Sequence, residues 1–382
     1  MVKRERDTVQ IESIQGGDFS IVVDRATQYE IATDLTQPSA ARFELGDSGT
    51  WSAIRDAIAI GGRFKVTVND APRITGRLLT RNLAVSASAG ATVQVVVRTL
   101  LADALFTAVN PAIGVTKATL KDVVLKAFAG MRLEEKDLIF RADLARNIIT
   151  GRSSSTPTKP ALEIHDIKEE EARPHPPESI YAFVDRHLSR FGLMMWDTAD
   201  GRIVIGAPDD TQDPLYVMTC RRGAQGRTNN LLDVRKTEDF EDVPSKLFVY
   251  GIGGGKDQSK ARARGVELDR TLAFLDSPLD RVAIVIDEGV TTKAQAEGRA
   301  RREMMRRSLH KDSWTLETDG LSYWSGSQKI PYGVDTVADV RVDVAGAANG
   351  PYLVWQCTMR GSAGESHRTT LTGVGRGIWR LA

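Results

Sequence analysis

The sequence predicts a β-rich α+β fold, with two small β-barrel domains and mixed α/β domains between them, and three observations carry that expectation. Apolar residues come mostly in short, strand-length runs bounded by Gly, Pro, Asn and Asp clusters. Helical spacing of apolar residues is confined to a few windows. The order strand, turn, strand, loop, strand occurs twice, once in the first hundred residues and again near the C-terminus.

The first barrel is expected over residues 1–99. Phe19-Ser-Ile-Val-Val and Arg63-Phe-Lys-Val-Thr-Val read as strands, Asn69-Asp70-Ala71-Pro72 as a turn, and Arg73-Ile-Thr-Gly-Arg-Leu-Leu and Val93-Gln-Val-Val-Val as the strands that follow. Residues 100–215 read as an α+β domain. It opens with a helix over Leu100–Ala108. A second helix begins at Thr119, whose hydroxyl can accept from the amide three residues on while Asp122 reciprocates. Leu120, Val123, Val124, Ala127 and Phe128 share its inner face, and Gly130 is placed to end it. The run Ser153-Ser-Ser-Thr-Pro marks a loop. A further helix, Glu178–Phe191, carries Ile180, Val184, Leu188 and Phe191 on one side and stops at Gly192. A hairpin follows, with Asp200-Gly201 as its tight turn.

Strands at Val217–Cys220, Leu231–Thr237 and Lys246–Gly251 open a second barrel, expected over 216–255 and 314–382. The inserted segment 256–313 holds the strand Val282–Ile286 and a helix over Thr292–His310. Ala296, Ala300, Met304 and Leu309 line one side of that helix, and Arg299, Arg301, Arg302, Arg306, Arg307 and Lys311 occupy the others.

The repeated pattern is specific in its order. Gly62–Val68, Ile74–Leu79 and Thr92–Val97 match Gly333–Val342, Tyr352–Met359 and Thr369–Val374, with a Gly/Asn turn and then a small-residue loop at corresponding places. Two similar barrels per chain would give a trimer six similar modules in a ring.

Composition narrows the function. Lys+Arg 51 against Asp+Glu 50 leaves a net charge of +1, whereas a protein that grips nucleic acid along a phosphate-reading surface carries a basic excess. Two cysteines, Cys220 and Cys357, exclude a disulfide framework and a four-cysteine zinc site, although one bridge between them stays open. Met1-Val-Lys-Arg-Glu-Arg-Asp has no apolar run behind its charges, and no membrane-length apolar stretch occurs, so neither a secretion signal nor a membrane-spanning segment is expected.

Catalytic patterns are absent or incomplete. Gly251-Ile-Gly-Gly-Gly-Lys256 lacks the spacing and the following Ser or Thr of a phosphate loop. His165, Asp166, Glu169, Glu170, Glu171 and His175 lack the paired-histidine helix of a zinc protease and sit in Pro-rich surroundings. No Gly-x-Ser-x-Gly elbow occurs, and the Glu238, Asp239, Glu241, Asp242 run reads as a solvated acidic stretch. The expectation is no catalytic residue, no cofactor and no metal. The Arg-rich helix is either a solvated face or a surface for an acidic protein or a polyanion channel, with Arg299, Arg302 and Arg306 as the residues facing a channel or partner.

Several segments resemble the baseplate hub family of contractile phage tails, in particular the Mu-like hubs and late control proteins. They are Phe43-Glu-Leu-Gly, Thr119-Leu-Lys-Asp-Val-Val, the helix-hairpin Glu178–Arg202, Asn229-Asn-Leu-Leu, the helix Ala294–Arg307, Gly320-Leu-Ser-Tyr-Trp-Ser, Pro331-Tyr and the closing strands to Val374. The resemblance spans most of the chain and is weakest over Arg152–Arg173. It implies a homotrimer in the virion, assembled in the host cytoplasm, whose paired barrels match a six-fold tail tube or distal tube protein. A trimeric spike protein, baseplate wedge proteins and the tape measure protein are the other implied partners, with a central channel for DNA ejection. Rival readings are the hub of a type VI secretion, pyocin or gene transfer agent spike, a tail-associated cell-wall hydrolase working through residues such as Glu178, Asp197 and Asp200, and a carbohydrate-binding β-protein. Type VI spikes usually continue into a β-helix on the same chain, and this chain ends at Ala382, so a separate spike is expected.

Overall fold

The computed structural model describes residues 7–14, 20–22, 26–46, 60–86, 90–111, 113, 119–141, 173–175, 177–221, 229–251, 264–268, 281–326, 328–343, 349–362 and 365–378. The first lobe is all strand: β1 (Val9–Ser13), β2 (Ser20–Val22), β3 (Ala26–Asp34), β4 (Ala40–Gly46), β5 (Arg63–Val68), β6 (Ala71–Ser86) and β7 (Gly90–Thr99). The middle follows with α1 (Leu100–Phe106), α2 (Leu120–Ala129), β8 (Leu138–Phe140), α3 (Ile180–Ser189), β9 (Met194–Asp197) and β10 (Ile203–Gly206). The remainder comprises β11 (Tyr216–Cys220), β12 (Leu231–Thr237), β13 (Lys246–Gly251), β14 (Arg264–Leu268), β15 (Val282–Asp287), α4 (Lys293–Ser308), β16 (Ser313–Asp319), β17 (Ser322–Ser325), β18 (Gln328–Pro331), β19 (Thr336–Val342), β20 (Gly350–Ser362) and β21 (Arg368–Gly375).

The internal repeat is present as two antiparallel meanders, β5-β6-β7 and β19-β20-β21. Each has a long middle strand with a bulge part-way along. β6 pairs on one edge with β5 over Ala71–Arg77 and on the other with β7 over Gly76–Ser86, shifting register against β7 between Leu78 and Thr80. β20 pairs with β19 up to Val354 and with β3 from Gln356 onward, shifting register between Val354 and Gln356. A bulge bends and twists a strand, which lets one edge of β20 serve β19 and then β3.

That second partnership joins the two parts of the chain expected to form barrels. β3 and β4 bridge the meanders, so a single 13-stranded sheet runs β12-β16-β21-β20-β3-β4-β7-β6-β5-β1-β2, with β19 and β11 attached at β20. No closed ring of strands occurs among the described residues. One apolar core is correspondingly shared: Phe43, Phe64 and Ile74 of the first lobe belong to the same buried cluster as Tyr216, Trp314 and Leu371 of the second.

Between the lobes, α1, α2 and α3 pack on the sheet β8-β10-β9. α2 starts where the sequence places it, because Thr119 Oγ1 accepts from Asp122 N at 3.2 Å and Asp122 Oδ2 accepts from Thr119 N at 2.9 Å. α3 ends at Gly192, whose φ of +70° allows Leu193 N to reach back to Leu188 O. The hairpin turn differs from expectation. Thr198 and Arg202 close a three-residue loop in which, of the Asp200-Gly201 pair, Gly201 alone is left-handed, the turn-plus-bulge form rather than the two-residue one. A last layer packs α4 on β14-β13-β15 through Leu247, Val249, Val290, Ala296, Ala300 and Met304.

Candidate assembly surfaces

α4 is capped by Thr292 and Gln295 and turns its small apolar residues inward, which leaves its arginines to find partners along the helix. They converge on Glu303. Arg306 Nη2 lies 2.8 Å and Arg307 Nε 2.9 Å from Glu303 Oε1, and Arg299 lies 3.5 Å from both Glu303 Oε2 and Asp287 Oδ2. Arg302 points away from this group into the chain, 3.7 Å from Asp185 of α3 and with its side chain only 14% exposed. Of the three residues expected to face a channel or partner, Arg302 is therefore held between α3 and α4 and Arg299 is mostly covered. Arg306 exposes 62% of its side chain. It lines a cleft of about 860 Å³ with Arg307, Asp239, Asp242 and His310. The spacing i−4, i+3 and i+4 from Glu303 is a sequence signal that charge counting alone passes over.

Burial raises the Glu303 carboxyl, but hydrogen bonds from Arg306 and Arg307 and the nearby positive charges outweigh it and bring the group down to about 2. A carboxyl lowered on folding stabilises the fold above its unfolded value, and that contribution is lost as pH falls toward about 2. After allowance for solvent screening, Glu303→Gln is expected to cost about 1–2 kcal/mol at pH 7 and little near pH 2.5. Urea titrations of both proteins at the two pH values measure this; an undiminished gap at low pH contradicts it.

A second polar group lies at the junction of the lobes. Asp197, at the end of β9, accepts from Thr99 Oγ1 at 2.6 Å and Ser39 N at 3.1 Å, tying the middle to the first lobe. Burial raises its carboxyl to about 6 against the lowering effect of those donors. Arg73 of β6 donates to Tyr332 O of the second lobe, and Arg141 lies 2.6 Å from Asp335, whose φ is +57°. Asn69 Nδ2 bridges Asp7 Oδ1 and Ser322 Oγ, and Tyr29 Oη meets His367 Nδ1 at 2.6 Å. These bonds fix the two lobes against each other.

Glu178, Asp197 and Asp200 have different partners. Glu178 pairs with Arg186 at 2.8 Å, Asp200 with Arg202 at 2.7 Å, and Asp197 is buried as above. His165, Asp166 and Glu169–Glu171 lie outside the described residues, as does the Gly-rich segment beyond Gly251. Among the described residues no group of three His, Cys, Asp or Glu side chains is placed to hold a metal, and no helix is long and apolar enough to cross a membrane. Cys220 and Cys357 are free thiols, and burial pushes Cys357 up to about 12.

Two strand edges are closed by side chains. Asn230 lies beside β11, accepting from Thr219 N and donating to Val217 O, both at 2.7 Å, and Asn229 does the same for Arg221. β12 carries Asp233, Arg235 and Lys236. Charged residues and satisfied backbone groups are what keep sheet edges from pairing with other chains. The sequence shows Asn229-Asn230 as part of a motif, but its edge-closing role needs the position of β11.

This architecture is shared with solved structures along nearly its whole length. The tail protein from Neisseria meningitidis MC58 superposes with a TM-score of 0.72 over 98% of both chains at 15% identity. The 43 kDa tail protein of prophage MuSo2 from Shewanella oneidensis gives 0.71 over 97% of this chain and 99% of that one at 14% identity. The fold is that of phage tail proteins. A type VI secretion component from E. coli, described as similar to the T4 bacteriophage tail proteins gp27 and gp5, shares the tail-protein fold more distantly, with a TM-score of 0.53 and 12% identity over 97% of this chain and 77% of its own. No family model matches the chain, and no curated protein matches it in sequence.

Proposed function

We propose that the chain is a structural hub subunit of a phage tail baseplate, acting as a homotrimer that adapts the six-fold tail tube to a trimeric spike. The observation that carries this reading is the presence of two matching meanders in a chain that has the tail-protein fold from end to end. A three-fold body that docks on a six-fold ring needs two similar modules per subunit, because otherwise every second ring subunit lacks an equivalent partner. Each lobe would act as one barrel-like docking module, with the tube or distal tube protein above, the spike below, wedge proteins outside and the tape measure protein in the channel through which DNA leaves. The work of such a part is assembly, and no catalytic step enters it. Location in the virion follows from the same reading.

The distant likeness to a type VI secretion component supports a second reading within the same class, the hub of a secretion-type spike. Light scattering on the purified chain, alone and with its spike, tests the proposal together with imaging of assembled particles. A three-chain mass and density at the tube–spike junction are expected. A chain that stays monomeric at tens of micromolar, with and without the spike, overturns it.

A further inference from the structure

An unpaired strand edge presents a row of N–H and C=O groups to any other chain. β11 and β12 are protected, as described above, but two further edges carry exposed apolar residues and have no neighbouring strand among the described residues. Beyond Leu78, β6 has left β5, and among the described residues no strand lies along its outer edge from Thr80 to Ser86. Leu83 and Val85 on this stretch are 59% and 75% exposed. Among the described residues β15 pairs with β13 and with no other strand, so no strand lies along its outer edge, Val282–Asp287. Its outward row of Val282, Ile284 and Ile286 is 53%, 61% and 68% exposed.

The sheet around β15 extends this apolar row. Phe248 and Tyr250 lie opposite Ile284 and Ile286 in register, with their rings stacked at 6.4 Å, and Val266 flanks Phe248 on the other side. α4 covers the opposite face of the same sheet. An exposed apolar patch of a few hundred Å² marks an interaction site rather than scattered surface residues.

We propose that these two edges pair with each other between neighbouring copies of the chain, Thr80–Ser86 of one lying antiparallel to Val282–Asp287 of the next. The stretches are seven and six residues long, and Leu83 and Val85 then meet the Val282, Ile284, Ile286 row. Charge selects the direction. Arg81 is the sole charged residue of the β6 stretch, while β15 starts after Arg281 and ends at Asp287 and exposed Glu288. Antiparallel pairing sets Arg81 near the acidic end; parallel pairing would set it beside Arg281. Because the two edges are different surfaces, the contact is head-to-tail and can close into a ring, whereas β15 against β15 would give a two-fold dimer. The inference rests on the homotrimer reading and adds to it which surfaces meet.

Cysteines at both edges test the pairing. L83C/I284C in a C220S background, oxidised and run without reductant, is expected to give covalent dimers and closed trimers, and I284C alone no trimer. I284R is expected to shift the trimer to monomer with an unchanged far-UV circular dichroism spectrum. R81E is expected to weaken association roughly tenfold, a screened but partly buried charge contact, and R81E/E288R to restore it. A trimeric wild type that neither cross-links through these positions nor responds to I284R and R81E overturns the pairing and leaves the homotrimer standing. A monomeric wild type that forms no cross-link removes both.

Discussion

Replacing Gly76 with alanine is expected to lower the stability of the chain by about 4 kcal/mol, enough to unfold much of a marginal protein. Gly76 lies where β6 is paired on both sides, to Phe64 of β5 and Thr99 of β7. A Cβ there would sit 1.9 Å from Arg98 O, 2.5 Å from Arg98 C and 2.9 Å from Thr99 Cα. These are backbone atoms, so relief requires moving β7 away just where it enters α1. Gly130→Ala is the control. Gly130 already has helical angles, φ −61°, and its nearest contact is 3.4 Å, so that change is expected to stay within about 0.5 kcal/mol. Urea unfolding of the two variants measures both; equal losses would show that close backbone approach at Gly76 is not the cause.

The second large effect is expected at Asp197. Alanine there removes the acceptor of the buried Ser39 amide and the nearer acceptor of the Thr99 hydroxyl, which keeps only Ser39 O at 3.3 Å, a loss of about 2–4 kcal/mol. The charge itself works the other way. Burial raises the folded carboxyl to about 6 from an ordinary 3.8, so the native state holds a proton that the unfolded chain releases earlier. The stability this group contributes is fully present below pH 4 and is lost as pH rises through 6, a swing on the order of 2–3 kcal/mol. Glu303 has the opposite sign and acts at lower pH. Asn at 197 cannot titrate, so the stability of wild type relative to Asp197→Asn is expected to fall between pH 4.5 and 7. Parallel curves for the two proteins would rule this out.

Local signals were legible in the sequence and distant ones were not. The start of α2 is written in Thr119 and Asp122, three residues apart, and the end of α3 in Gly192. Both meanders are written in alternating apolar residues and turn clusters. Their union into one sheet is not, because β3 meets β20 through pairs such as Asp34 with Gln356, 322 residues apart, and alternation says which face of a strand is buried without saying which strand lies beside it. The arginines of α4 divide the same way. Arg299, Arg306 and Arg307 are within a helical turn of Glu303, so their pairing could be read from spacing. The inward turn of Arg302 depends on Asp185 of another helix and could not. Exposed edges are hardest of all to read, since the closing of β11 depends on Asn230 lying alongside it.

The long strand β20 has a mechanical consequence. From Gln356 to Ser362 it is bonded to β3, and across its other edge to β21, so seven successive residue pairs join the C-terminal lobe to the N-terminal one. A pull along these strands loads the whole ladder in shear rather than peeling it bond by bond. A thrust delivered to one lobe therefore reaches the other without a hinge to absorb it, and the two should melt as one cooperative unit rather than in sequence.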